Sequence, residues 1–370
     1  MLKPYDLPML PIKFDPETEL HFYKKTIEAN VNLEALKQKI KHSVVNESLI
    51  RLLTLHESVQ STRIEGTQIT FSEMLEDDIE ENDSWEKTEV RNYEMALNYG
   101  VDMIQSGYPL TERLIREIHK ILMEGARGST SSAGQYRKIQ NYIGPTNNIK
   151  DASYIPPEPH KMDEYMTNLE HYINGHPYKQ ENTDDLHPLI KTAIVHAQFE
   201  SIHPFLDGNG RLGRILIILY MLQTKLIDSP IFFLSEELER ERFKYYSLLN
   251  GVRGIGKKEP DWKSWILFFL DAMIKMTENQ HDKLIRAEQL FIEGLKNLSK
   301  QSTKTVWTTF FKYPISKVSQ IEQMTDLAKP TIRKSINELV ELNMIYPDDR
   351  KRNRRFYHYD LISILTKHTN

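Results

Sequence analysis

One twelve-residue passage, His203-Pro204-Phe205-Leu206-Asp207-Gly208-Asn209-Gly210-Arg211-Leu212-Gly213-Arg214, runs straight into an apolar stretch from Ile215 to Leu222. Glycines at 208 and 210 permit positive φ and remove side chains, so the passage predicts a tight turn feeding the start of a buried helix. A helix start leaves its first amides unpaired and carries the positive end of the helix dipole, which makes it a seat for an anion. Around that seat stand an imidazole, a carboxylate and two guanidiniums. Arg211 and Arg214 are three residues apart and share one face, and guanidiniums match phosphate oxygens bidentately. Asp207, just before the turn, is placed to hold a Mg²⁺ that bridges phosphate oxygens, and Asn209 adds a side-chain amide donor. His203 can take a proton from an incoming hydroxyl near neutral pH. Each element alone is common; the ordered set reads as a magnesium-bound polyphosphate site with a general base beside it.

Other nucleotide sites are excluded by what surrounds the turn. A Walker A loop needs Lys-Ser/Thr after its glycines, and a dinucleotide fold needs a strand before them. Here the preceding segment, Leu189 to Ile202, has a helical pattern. The chain has no cysteine, so disulfides and thiolate nucleophiles are excluded. A net charge of -4 argues against a whole chain that coats nucleic acid. The run from Ile215 to Leu222 is too short to span a bilayer, and the first residues lack a signal-peptide core. The expected location is the cytoplasm, with no membrane partner.

The pattern along the chain is mainly helical. Prolines at 4, 8, 11 and 16 predict an extended lead-in over residues 1–25. Helical spacing follows over 27–64 with a stop at Gly66, then near 85–103, 111–123, 160–174, 188–201, 211–226, 236–250 and 262–276. Between about 128 and 160, β-prone runs around Ile143-Gly144 and Tyr154-Ile155 flank a polar turn and predict a hairpin. From about Leu284 a helical connector leads to a smaller module, in which Ile315–Val318 and Asp326–Ile345 suggest helix, turn, helix. A charged turn, Asp348 to Arg355, sits between strand-like Met344-Ile345-Tyr346 and Phe356-Tyr357-His358-Tyr359, which is the outline of a winged helix. The expected organisation is an N-terminal helical region over 1–110, a catalytic core over 111–280 and a winged-helix-like module over 285–370.

The passage HPFLDGNGRLGR resembles the signature loop of the Fic family, enzymes that move AMP from ATP onto protein hydroxyls, and the resemblance extends over roughly residues 45–275. It implies a Fic-type helical bundle with a small hairpin flap. It makes His203 the base that deprotonates a target Tyr, Thr or Ser, and Asp207 the magnesium ligand. The loop from Gly208 to Arg211, continued through Leu212 and Gly213, would hold the phosphates of ATP, with the γ-phosphate on Arg214. Relatives that transfer a phosphoryl group instead carry Lys where this chain has Gly210, so that glycine implies nucleotidyl transfer. Ser61-Thr62-Arg63-Ile64-Glu65-Gly66 is similar to the family's inhibitory pattern, carried on a helix expected over about 46–66. Ser61 and Glu65 lie one helical turn apart, and the resemblance pairs Glu65 with Arg214 so that ATP binds unproductively. The hairpin at Ile143 and Gly144 would be the flap that aligns a target segment. Tyr245 and Arg253 fall where the family sets its stretch beside adenine and ribose, and relatives imply a homodimer.

Alternatives remain at this stage. A cluster of His187, His196 and His203 as a metal site is disfavoured by helical spacing and the lack of Cys ligands. His196 is expected to pack within its helix. From residue 301 onward there are 12 Lys and Arg against 7 Asp and Glu, and the module serves either DNA or protein contacts. The readings are therefore an autoinhibited protein adenylyltransferase, a nucleotide-sensing DNA-binding regulator, and an enzyme that removes AMP through the same site.

Overall fold

The computed structural model describes residues 3–77, 84–125, 132–144, 149–175, 184–255 and 259–367. Helix α1, Pro16–Lys41, begins inside the expected lead-in. Pro16 sits in its first turn, where a missing N–H costs nothing, and Asp15 caps it by accepting from the Thr18 amide at 3.0 Å. Residues 3–15 do run extended, strapped by Tyr5 N–H to Ile155 O and by Leu10 to the Asn168 side chain. The single helical pattern expected over 27–64 is broken in two, because α2, Asn46–Ile64, starts after a break at residues 42–45. Helix α3, Phe71–Asp77, follows, then α4, Trp85–Gln105, α5, Glu112–Leu122, and α6, Met162–Asn174.

The centre is a pair of helices, α7, Pro188–Ile202, and α8, Asn209–Gln223. Both are apolar nearly all round, and a helix of that kind must be enclosed by others. Helices α4, α5, α6 and α2 do this on one side, and the C-terminal half of the chain does so on the other. The helix expected over 236–250 is two, α9, Ser235–Arg240, and α10, Arg242–Val252, broken at Glu241. The helix expected to end at 276 and the connector after it are one element, α11, Trp262–Asn297, against which α1 lies. Its buried residues recur at helical spacing from Trp262 to Gly294, so no residue along it has reason to stop it.

Beyond α11 come α12, Gln301–Lys312, β1, Ile315–Lys317, α13, Val318–Met324, α14, Lys329–Glu341, β2, Tyr346–Pro347, β3, Arg355–Tyr357, and α15, Tyr359–Thr366. Ile315–Lys317, expected in a helix, pairs instead as a strand: Ile315 opposes Tyr357 and Tyr346 opposes Tyr357 on the other edge, giving the antiparallel order β1–β3–β2. This unit is seated on the rest of the protein. Arg51 of α2 donates to Lys312 O at 3.0 Å and lies over the Tyr313 ring, while Arg355 and the Tyr357 hydroxyl reach Glu76 of α3 at 2.8 and 3.2 Å. The molecule is mainly helical, with one small sheet. Among the described residues, no helix is long and apolar enough to cross a membrane.

The close crossing of α11 and α12 rests on Gly294, because a Cβ there would overlap the Trp307 indole. Trp307 is fully buried and donates to Phe291 O at 3.2 Å, so it has no room to retreat. Gly294→Ala should therefore lower stability by about 1–3 kcal/mol, read as an earlier midpoint in urea unfolding followed by tryptophan fluorescence.

Candidate active site

The end of α7 and the start of α8 build the site. His203 terminates α7 in the left-handed region (φ 50°), its amide still bonded to Phe199 O at 3.0 Å. Its ring is half-buried and Nδ1 has no hydrogen-bond partner. Crowding by protein, with the Arg253 and Arg137 guanidiniums near, holds the imidazole well below its ordinary value. At neutral pH it is therefore the neutral, proton-accepting form.

Gly208 supplies the positive φ (76°) that turns the loop into α8, and a Cβ there would press on Met123. Gly210 is helical, contrary to the expectation of a second left-handed glycine. A Cβ there would overlap Glu65 Oε1 in its present pose, so a larger residue would displace that side chain. Asn209 is also placed differently from the sequence expectation. It is buried and reciprocally bonded to Phe205, accepting from its N–H and donating to its carbonyl, both at 2.9 Å. It clamps the loop and offers no free amide to a ligand. The amides opening α8 remain the anion-facing donors.

Asp207 is exposed, and its Oδ1 accepts from the Gly208 amide at 2.6 Å. Arg211 is buried, at ion-pair distance from Glu89 (3.5 Å) and Asp207 (3.7 Å), while its Nε and Nη1 lack hydrogen-bond partners. Such orphaned donors on a buried cation are what an incoming phosphate would satisfy. Arg214 has a side-chain exposure of 1%. Its Nε donates to Ser61 Oγ at 2.8 Å, and its Nη2 donates to Ser61 O at 2.8 Å and Glu65 Oε1 at 2.7 Å. Burial opposes its charge, but the facing Glu65 carboxylate outweighs that and keeps the guanidinium above its ordinary value. Leu212 is in the core. Gly213 gives Glu200 room, since a Cβ would overlap that carboxylate.

The pose of Glu65 comes from the way α2 ends. Gly66 takes φ 103°, its N–H bonds Arg63 O at 2.9 Å, and Thr67 N–H bonds Thr62 O at 3.2 Å, a Schellman cap. Thr67 Oγ1 then donates to Glu89 at 2.8 Å, which ties the end of α2 to the partner of Arg211.

Two expected nucleobase contacts are built into the protein instead. Tyr245 is buried and its hydroxyl faces His196 Nε2 at 3.0 Å, while His196 Nδ1 bonds Gly213 O at 3.0 Å. His196, expected to pack within its own helix, instead bonds across to α8 and α10. Arg253 is buried and caps the end of α7, donating to Glu200 O at 2.9 Å and Ser201 Oγ at 3.3 Å, with its guanidinium 4.1 Å over the Tyr154 ring. Both are buried and committed to partners within the protein. At the expected hairpin, Ile143 and Tyr154 form one antiparallel bridge, with N–H···O distances of 2.8 and 3.1 Å. Gly144 is exposed beside it, and the turn at 145–148 lies outside the described residues.

Three side chains that sequence reasoning gave no role hold this geometry. His119 of α5 stacks on Phe205 (3.7 Å, 8°), donates Nε2–H to Asp207 O at 3.0 Å and accepts from Gly134 N–H. Arg137 donates to His203 O at 2.9 Å and, through its main-chain amide, to Pro204 O at 2.9 Å. Glu200 is buried, with burial raising its carboxyl to about 7 and Oε1 unpartnered. Spacing could not flag the first two, since each acts across a distance of tens of residues. Among the described residues, no group of three or more His, Cys, Asp or Glu could hold a metal ion.

Burial keeps His196 neutral, its value lowered to about 3. The unfolded chain takes up that proton below about pH 6.5 and the folded chain does not, so this histidine costs stability as pH falls from about 6.5 towards 3. His203, also lowered, acts in the same direction. NMR titration from pH 8 to 5 should therefore show unshifted imidazole signals for both.

Residues 109–221 match the Fic/DOC family and residues 23–102 match the Fic/DOC family N-terminal region. The chain is 26% identical over 255 residues to the protein adenylyltransferase Fic of Drosophila grimshawi, covering 67% of this chain and 44% of that protein. It is 25% identical over 244 residues to that of Drosophila melanogaster, covering 65% and 41%. The chain thus spans less than half the length of these curated relatives. Among solved structures, a Fic family protein from Desulfovibrio desulfuricans superposes with TM-score 0.54 at 20% identity, covering 96% of this chain and 98% of that one. Fic-1 from C. elegans gives TM-score 0.52 at 20% identity, covering 74% and 75%. The two matches, one of which contains the α7–α8 turn, together cover just over half of the chain and make it a member of the Fic/DOC family.

Proposed function

We propose that the chain transfers AMP from ATP to a hydroxyl side chain of a protein, and that Glu65 restrains this activity. The observation that carries the reading is the neutral His203 beside the α8 start, with Arg214 at that start held by Ser61 and Glu65. In the reaction, the target hydroxyl oxygen attacks the α-phosphorus, His203 accepts the hydroxyl proton, and pyrophosphate leaves. Little covalent chemistry falls to the protein, so its work is positioning and stabilising charge. The α8 amides and the orphaned donors of Arg211 would hold the phosphates, and the orientation they impose decides which phosphorus faces His203.

Asp207 fits a magnesium ion: one exposed carboxylate beside the phosphate seat is what Mg²⁺ takes when phosphates and water complete its shell. Bound there, the ion would neutralise phosphate charge; the proton transfer stays with His203. Glu65 competes for the guanidinium that the γ-phosphate needs. A preference of only about 1.4 kcal/mol for the blocked pose reduces the productive one tenfold.

Glu65→Gly should raise AMP incorporation by at least tenfold, and His203→Ala should abolish it in either background, measured by mass detection of adenylylated protein with ATP and Mg²⁺. Equal incorporation by native and Glu65→Gly protein would remove the restraint from this account. Loss of AMP removal from a pre-modified target in Glu65→Gly would favour the reverse reaction.

A further inference from the structure

The C-terminal unit carries an exposed basic face that adenylyl transfer does not use. Its order α12, β1, α13, α14, β2, β3, with the sheet β1–β3–β2, is a helix-turn-helix pair followed by a two-stranded hairpin. In helix-turn-helix proteins the second helix of the pair enters the major groove, and α14 occupies that place. Ile332, Ser335, Ile336 and Leu339 of α14 are buried, and the helix packs on α12 and α13. Arg333, Lys334 and Asn337 are exposed on its other side. At the hairpin turn, Lys351 and Arg352 are exposed as well.

Charge distribution points the same way. Residues 301–370 carry an excess of five positive charges in a chain of net charge -4, so the rest carries an excess of nine negative ones. A polyanion is drawn to this unit and repelled by the remainder, which fixes how it approaches. The unit docks on the rest of the protein through α12, α15, Arg355 and Tyr357, so its seat leaves the outer side of α14 clear. Within α14 itself no exposed residue is a large hydrophobic, the apolar Leu342 lying at its C-cap, so its outer face offers a protein partner little to grip. Arginine, lysine and asparagine are instead the residues that read phosphates, guanine and adenine in a groove.

We propose that this chain binds duplex DNA through α14 and the turn at 348–355, with Arg333, Lys334 and Asn337 in the major groove and Lys351 and Arg352 on flanking phosphates. This function is independent of adenylyl transfer. Fluorescence anisotropy of the full chain with a labelled mixed-sequence duplex of about 30 base pairs tests it. Binding should weaken steeply between about 50 and 200 mM salt, with a log–log slope near -0.9 per phosphate contact. Lys351→Ala with Arg352→Ala should reduce that slope by about two. Arg333→Ala with Lys334→Ala should weaken binding roughly tenfold or more at about 100 mM salt. Lys24→Glu, on α1, should bind as the native chain does, and the α14 and turn variants should keep the native melting temperature. No binding at the lowest salt, equal binding by the α14 variant, tighter binding to single-stranded RNA, or retention of a protein ligand alone would each overturn the proposal.

Discussion

A guanidinium with 1% side-chain exposure is a charge that the protein interior must compensate, and Arg214 is where this structure does so. Its place on α8 sets the charge against the end of α2, where the Ser61 hydroxyl and carbonyl and the Glu65 carboxylate all bond it. Helices α2 and α8 are thereby committed to one another at one point. The apolar packing of α7 on α8 supplies the burial around it. Gly210 and Gly213 leave room on α8 for the Glu65 and Glu200 side chains.

That arrangement explains how far the sequence could be read. The turn before α8 was legible because its residues are contiguous and form one strong pattern, whereas the pairing of Glu65 with Arg214, 149 residues apart, was legible only through the family resemblance. The roles of Asn209, Tyr245 and Arg253 were not. All three are polar side chains that bond inward, and polarity alone cannot tell a donor aimed at a ligand from one that closes the protein's own frame. Asn209 closes the loop on Phe205, Tyr245 closes the α7–α8 pair through His196, and Arg253 closes the end of α7. Helix ends were misread for a related reason. Pro16 was counted as a breaker although proline is at home in a first turn, and α11 was cut short because its amphipathic face changes partners along its length.

The seating of the C-terminal unit follows from the same economy of charge. Glu76 of α3 meets Arg355 and Tyr357, and Arg51 of α2 satisfies Lys312 O while stacking on Tyr313. The helix that ends in Glu65 is thus held near its beginning by the C-terminal unit. At its far end, the Schellman cap and the Thr67–Glu89 bond hold it to the loop side of α8. Buried Glu57, midway along the same face, accepts from Tyr93 at 3.1 Å and from the Ser235 amide at 3.1 Å.

These three attachments decide how the proposed restraint can be lifted. Withdrawing α2 as a body would break the Arg51, Glu57 and Thr67 bonds together and leave the buried Tyr93 hydroxyl and Ser235 amide without their acceptor, at about 1–3 kcal/mol for each buried donor. Rotating the Glu65 side chain, already 36% exposed, breaks one ion pair, but the Arg214 side chain, 1% exposed, then needs another anion in place of that carboxylate. Arg214 keeps Ser61 through two bonds when Glu65 leaves, so the guanidinium stays aimed at the phosphate seat. Release in this architecture is therefore a side-chain movement on a fixed helix, within reach of the competition that a triphosphate can bring.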